Sequence, residues 1–103
     1  KDKAVINMDN LMWANVQDTH SMEPMLNKNS ISLERKPVSE NEVGIGDVIS
    51  FNSENMVKIH RVVETGQDTG GWYAVTKGDN NQENDAGKVR FSDIVGIVVG
   101  VLY

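Results

Sequence analysis

Polar and apolar residues alternate with a period of two along most of this chain, which restricts it to a fold made mainly of strands. Ser30-Ile31-Ser32-Leu33-Glu34 follows the pattern of a half-buried strand. Val48-Ile49-Ser50-Phe51 comes directly after the turn signal Gly44-Ile45-Gly46-Asp47, and Met56 to Val63 is a β-branched run. Trp72 to Thr76 reads as another short strand, after a turn from Gly66 to Gly71. Ile94 to Tyr103 is rich in Val and Ile, with Gly96 and Gly100 inside it. Glycine within a strand marks a bulge or a close backbone approach. Ala4 to Met12 fits a strand or a short helix, and one further helical turn is expected from Val38 to Glu42, after Pro37. The expected fold is a mainly β, small curled sheet with little helix.

With 103 residues the chain forms one domain, 1–103, and its 39% apolar share suffices for one small core. The net charge is −5, with both signs mixed along the chain. That argues against a nucleic-acid partner, which needs clustered Lys and Arg. The absence of cysteine excludes disulfides, thiolate metal sites and a cysteine nucleophile. Two histidines, His20 and His60, are too few for a histidine-rich metal centre, so neither metal nor cofactor is expected. No stretch approaches the roughly 20 apolar residues of a membrane span. The chain starts at Lys1 rather than Met, so an upstream segment, such as an anchor, is expected to have been removed.

Three short segments carry chemistry. In Thr19-His20-Ser21-Met22-Glu23-Pro24, the proline restricts Glu23 and ends any helix, leaving the Ser21 hydroxyl at the end of an element. The Thr19 hydroxyl and the Ser21 N–H are candidate donors to an oxyanion; otherwise Thr19 is an ordinary strand threonine. His20, adjacent to Ser21, points its side chain away in an extended segment and reads as exposed or structural. In Lys58-Ile59-His60-Arg61, alternation puts Lys58 and His60 on one face. An imidazole accepts a proton near neutral pH, and a buried lysine does so once its pKa is lowered, so both are candidate bases. Gly78-Asp79-Asn80-Asn81 is turn chemistry with Asp85 six residues beyond Asp79, and either aspartate can orient a histidine or simply build the turn. A serine, a base and an acid are the ingredients of nucleophilic acyl transfer.

Together these segments resemble the type I signal peptidases of archaea, the endoplasmic reticulum and some spore-forming bacteria. That branch reads Ser-Gly-Ser-Met-Glu-Pro around its nucleophile, and Thr19 to Pro24 is similar. Gly46-Asp47-Val48-Ile49-Ser50-Phe51, His60-Arg61-Val62, and Thr76-Lys77-Gly78-Asp79-Asn80-Asn81 with Asp85 match the motifs that follow, in order, and Asp93-Ile94-Val95-Gly96 fits the ending. The common bacterial form has lysine where His60 stands. The resemblance implies Ser21 as nucleophile, His60 as general base, Asp85 as its orienting partner, Asp79 as a supporting carboxylate and Thr19 as an oxyanion donor. It also implies a signal-peptidase-like fold and cleavage of pre-protein signal peptides after small residues, alanine being favoured at the last and third-last positions.

Two departures stand out. His20 replaces a glycine, so the backbone there must avoid positive φ or accept strain. The family's N-terminal membrane anchor has no counterpart within residues 1–103. The resemblance implies that such an anchor holds the full-length protein at a membrane, with the catalytic domain on the extracytoplasmic or lumenal side. Leu11-Met12-Trp13 either rests on that membrane surface or packs in the core. The alternatives are a LexA-like self-cleaving peptidase with Lys58 as base, and an inactive relative that serves as a binding module. The single Ala-Gly pair, Ala86-Gly87, lies downstream of the serine, where LexA-like proteins cut upstream.

Overall fold

The computed structural model describes residues 11–16 and 19–103. Seven strands are present: β1 Leu11–Asn15, β2 Ile31–Arg35, β3 Val48–Ser53, β4 Met56–Asp68, β5 Gly71–Lys77, β6 Val89–Arg90 and β7 Ile94–Leu102. They form one antiparallel sheet in the order β1-β2-β7-β3-β4-β5-β6, which does not close. The fold is mainly β with only two 3-10 turns, Glu40–Glu42 and Phe91–Asp93, among the described residues. No described helix is long and apolar enough to cross a membrane. Ala4 to Asn10, part of the segment read as strand or helix, lies outside the described residues.

Strand β3 lies centrally, between β7 and β4, and its first four residues are all buried. Ile49 and Phe51 enter one apolar cluster with Val62, Ala74, Ile94 and Ile97. Val48, on the opposite face, enters a second cluster with Met22 and Leu26. Each fully buried side chain of this kind stabilises the fold by about 1.5–3 kcal/mol. Met22 and Leu26 therefore pin the segment that carries Ser21.

Three details differ from the sequence reading. Strand β4 continues through Gly66 to Asp68, because Tyr73 of β5 lies across Gly66 where a Cβ would stand 2.5 Å from its hydroxyl oxygen. The reversal is confined to Thr69-Gly70, where Gly70 N–H bonds the Asp68 carboxylate. Strand β6 has only two residues, too few to leave a periodic signal. In β2 the alternation is present, but the polar set is the more buried one: Ser32 and Glu34 are buried while Ile31 and Leu33 are half-buried. β2 lies between β1 and β7, so both of its edges are paired, and on its more buried face Ser32 and, from β3, Ser50 bond the Glu34 carboxyl.

Gly96 makes the close approach expected of a strand glycine. A Cβ there would lie 2.8 Å from Glu34 Oε1 and 2.9 Å from Glu34 Cβ. Gly96→Ala is expected to lower unfolding free energy by about 1–3 kcal/mol, read as a lower denaturant midpoint at unchanged slope, because Glu34 Cβ cannot swing aside as a flexible tip would.

Candidate active site

After β1 the chain turns sharply at His20, whose φ is 64°. The residue adopts the left-handed conformation, so the strain foreseen at this position is accepted, at a cost of about 1–2 kcal/mol. Its surroundings hold it there. The His20 carbonyl accepts bonds from the Glu23 N–H and from the Asn80 side-chain amide, and His20 Nδ1 lies 2.6 Å from Glu23 Oε2. The His20 side chain is 61% exposed. The turn lifts Ser21 to its tip. The loop after β5 clamps it from the other side: Asn80 N–H donates to the Ser21 carbonyl at 2.8 Å, and Asp79 N–H to Met22 Sδ at 3.3 Å.

Strand β4 delivers the imidazole. His60 is 8% exposed and packs edge-on against Phe51, with ring centroids 6.3 Å apart. Its Nε2 lies 3.2 Å from Ser21 Oγ and its Nδ1 lies 2.5 Å from Asp85 Oδ2. Asp85 is held in place by its own N–H, which donates to the Thr76 carbonyl at 2.7 Å, and by the Thr76 hydroxyl, which donates to Oδ2 at 2.7 Å. Ser21, His60 and Asp85, spread over 65 positions of sequence, are thus joined in one line of hydrogen bonds.

Donor and acceptor rules fix where the protons sit. An ionised Asp85 can only accept, so Nδ1 of His60 carries the hydrogen and Nε2 is the acceptor. Ser21 must then donate to Nε2. With its one proton spent, Ser21 Oγ accepts from the Thr19 hydroxyl at 3.1 Å. The Thr19 oxygen in turn accepts the Ser21 N–H at 3.4 Å. The two expected oxyanion donors therefore face each other across Ser21 in the resting site, instead of pointing into an open hole.

The remaining candidates fall elsewhere. Lys58 lines the cavity beside Ser21 but makes no hydrogen bond to it. Asp79 forms no hydrogen bond with His60 and pairs with Arg61, whose Nε and Nη2 donate to its two oxygens at 2.9 and 2.8 Å. Arg61 also reaches the Gly46 carbonyl and Met25 Sδ, so this pair ties the turn before β3, strand β4 and the two site loops together. Hydrogen bonding from Arg61 holds the Asp79 carboxyl below the usual carboxylate range, against the opposing effect of burial. A depressed pKa contributes stability that is complete above the unfolded value, about 3.9, and is lost as pH falls through the folded one. Asp79→Asn is expected to flatten the fall of stability below about pH 4, measured by urea unfolding at stepped pH. Asp68 and Glu42, also held low by basic partners, titrate alike in both proteins, so the difference isolates Asp79.

Sequence reasoning passed over Thr76 and Asn80, although both lie in the Thr76–Asn81 motif that it quoted, and over the cavity lining. A cavity of about 500 Å³ runs from Ser21 and His60 between Ala14–Val16 on one side and Met56–His60 on the other, over Glu34, Ser50 and Val95. Strand β5 joins β4 only from Arg61 onward, so Met56–His60, paired with β3 on one edge, has no strand neighbour on the other among the described residues. No group of three or more His, Asp or Glu side chains among the described residues is arranged to hold a metal ion. In comparisons with known proteins, the chain matches no protein-family model and no curated sequence.

Proposed function

We propose that this chain is a serine endopeptidase of the signal peptidase type, cleaving pre-proteins after small residues. The observation that carries the reading is the continuous bond line from Ser21 Oγ through His60 to Asp85. At 3.2 Å the serine is at the edge of the range from which a general base takes a proton directly. Ser21 Oγ attacks the scissile carbonyl carbon as its proton passes to His60 Nε2. Asp85 keeps the imidazolium oriented and stabilised through Nδ1–H. As the carbonyl oxygen becomes negative, the Ser21 N–H and the Thr19 hydroxyl exchange their mutual contact for the oxyanion, where one such donor lowers the barrier by about 2.7–4 kcal/mol. His60 then protonates the leaving amine, and water, activated by the same imidazole, releases the acyl group.

The unpaired edge of Met56–His60 supports binding of the substrate as an added strand. Its main chain would lie along the cavity, with alternate side chains facing down. Trp13, 57% exposed on edge strand β1, supports contact of this rim with a membrane surface. In this reading the partners are pre-protein signal peptides, and the full-length protein is held at a membrane with this domain on its extracytoplasmic or lumenal side.

The test is a peptide whose leader ends in Ala-X-Ala, incubated with the wild-type protein and with Ser21→Ala, the products located by mass spectrometry. A single cut after the final alanine, present only with the wild type, is expected. An intact peptide with both proteins, or a cut that persists in Ser21→Ala, overturns the reading.

A further inference from the structure

The cavity beside Ser21 has an unusual floor for a trough that receives small apolar side chains. Glu34, 2% exposed, lines it together with Ser50. The Ser32 hydroxyl donates to Glu34 Oε2 at 2.8 Å, and the Ser50 hydroxyl donates to Oε1. No lysine, arginine or histidine among the described residues forms an ion pair with this carboxyl. A buried carboxylate without a cation is expensive, and two hydroxyl donors fill only half of its roughly four acceptor positions. The catalytic line does not use it. The sheet nevertheless makes room for it, since Gly96 leaves open the space that a Cβ would take from Oε1.

We infer that Glu34, supported by Ser32 and Ser50, is a specificity site that takes a hydrogen-bond-donating side chain of the substrate. That side chain is a hydroxyl or an ammonium, at one position of the bound strand. The inference rests on the peptidase reading for the identity of the ligand. A strand lying between Ala14–Val16 and Met56–His60 directs every second side chain toward Glu34 and Ser50. A donor arriving there occupies a free lone pair of the carboxylate. An apolar side chain of equal size covers the charge and leaves it unpaired, so the site discriminates by penalising the wrong substrate as well as by binding the right one.

The test compares peptides that carry serine against 2-aminobutyrate, and lysine against norleucine, placed in turn at each position flanking the cut. Wild-type protein is expected to prefer the donor of at least one pair by about tenfold or more in kcat/KM, at one position only. Glu34→Leu brings that ratio to about one. Glu34→Gln, which keeps the shape and an acceptor oxygen but no charge, retains a preference for serine and loses one for lysine, and so tells the hydroxyl from the ammonium. Ratios near one at every position in the wild type, with cleavage intact, overturn the inference and leave the peptidase reading standing. If no peptide is cut, affinities of the same peptides for Ser21→Ala, by fluorescence anisotropy, decide the site independently. A donor preference that disappears in Ser21→Ala/Glu34→Leu supports it, and equal affinities overturn it.

Discussion

His60→Ala and Ser21→Ala are each expected to lower kcat/KM on an Ala-X-Ala leader peptide by about 10⁴–10⁶-fold, with thermal unfolding close to that of the wild type. The size follows from the single proton path. Ser21 Oγ is hydrogen-bonded to His60 Nε2, and no other basic side chain among the described residues forms a hydrogen bond with it. Because the two residues act as one unit, the double variant should be hardly worse than either single one. Lys58→Ala is the decisive control. Lys58 borders the same cavity, and a Ser-Lys mechanism would route the proton through its amine. The bonding pattern predicts a change of less than about tenfold for Lys58→Ala. Loss of activity in Lys58→Ala with retention in His60→Ala would exchange the base and favour the self-cleaving alternative, for which incubation at alkaline pH should then yield two fragments.

The second large effect concerns the aspartates. Asp85→Asn should lower kcat by about 10⁴-fold, whereas Asp79→Asn should stay within about tenfold and act mainly on stability. An asparagine at position 85 can still be held by the Thr76 hydroxyl, but its amide can offer N–H to His60 Nδ1. That places the imidazole hydrogen on Nε2, where it blocks the Ser21 proton, and removes the charge that steadies the imidazolium. Asp79 touches Arg61 rather than His60, so its loss loosens the anchoring of two loops without altering the tautomer. Steady-state kinetics with a parallel melting curve separate the cases. Equal, mild effects of the two substitutions would remove the orienting role from Asp85.

How far the sequence was readable depends on how local each signal is. The strands over Val48–Phe51, Met56–Val63 and Trp72–Thr76 were legible because alternation and turn glycines are short-range properties. The bulges near Gly96 and Gly100 were legible for the same reason, and the register shifts of β2 and β3 against β7 fall beside them. Ser21, His60 and Asp85 were nameable through motif likeness, but the choice between the two aspartates rests on pairings across the fold. Asp79 takes Arg61 from the neighbouring strand, and Asp85 takes Thr76 and His60. Burial of Glu34 was not legible, because a Ser-x-Ser-x-Glu alternation looks the same whether its polar face meets water or a cavity. That is decided by residues distant in sequence, Ser50 of β3 and the missing Cβ of Gly96 in β7, which meet the Glu34 side chain. The left-handed backbone at His20 was framed as a choice, and it was settled by Asn80, sixty residues away in sequence.

The most direct measurement of a His60-activated Ser21 is covalent labelling by a serine-directed acylating inhibitor, with the adduct located by mass spectrometry and its rate followed in wild type and His60→Ala. One adduct on Ser21, forming at least about a thousandfold more slowly once the imidazole is gone, is the predicted result. An adduct on another residue, no adduct at all, or equal rates in the two proteins would contradict it.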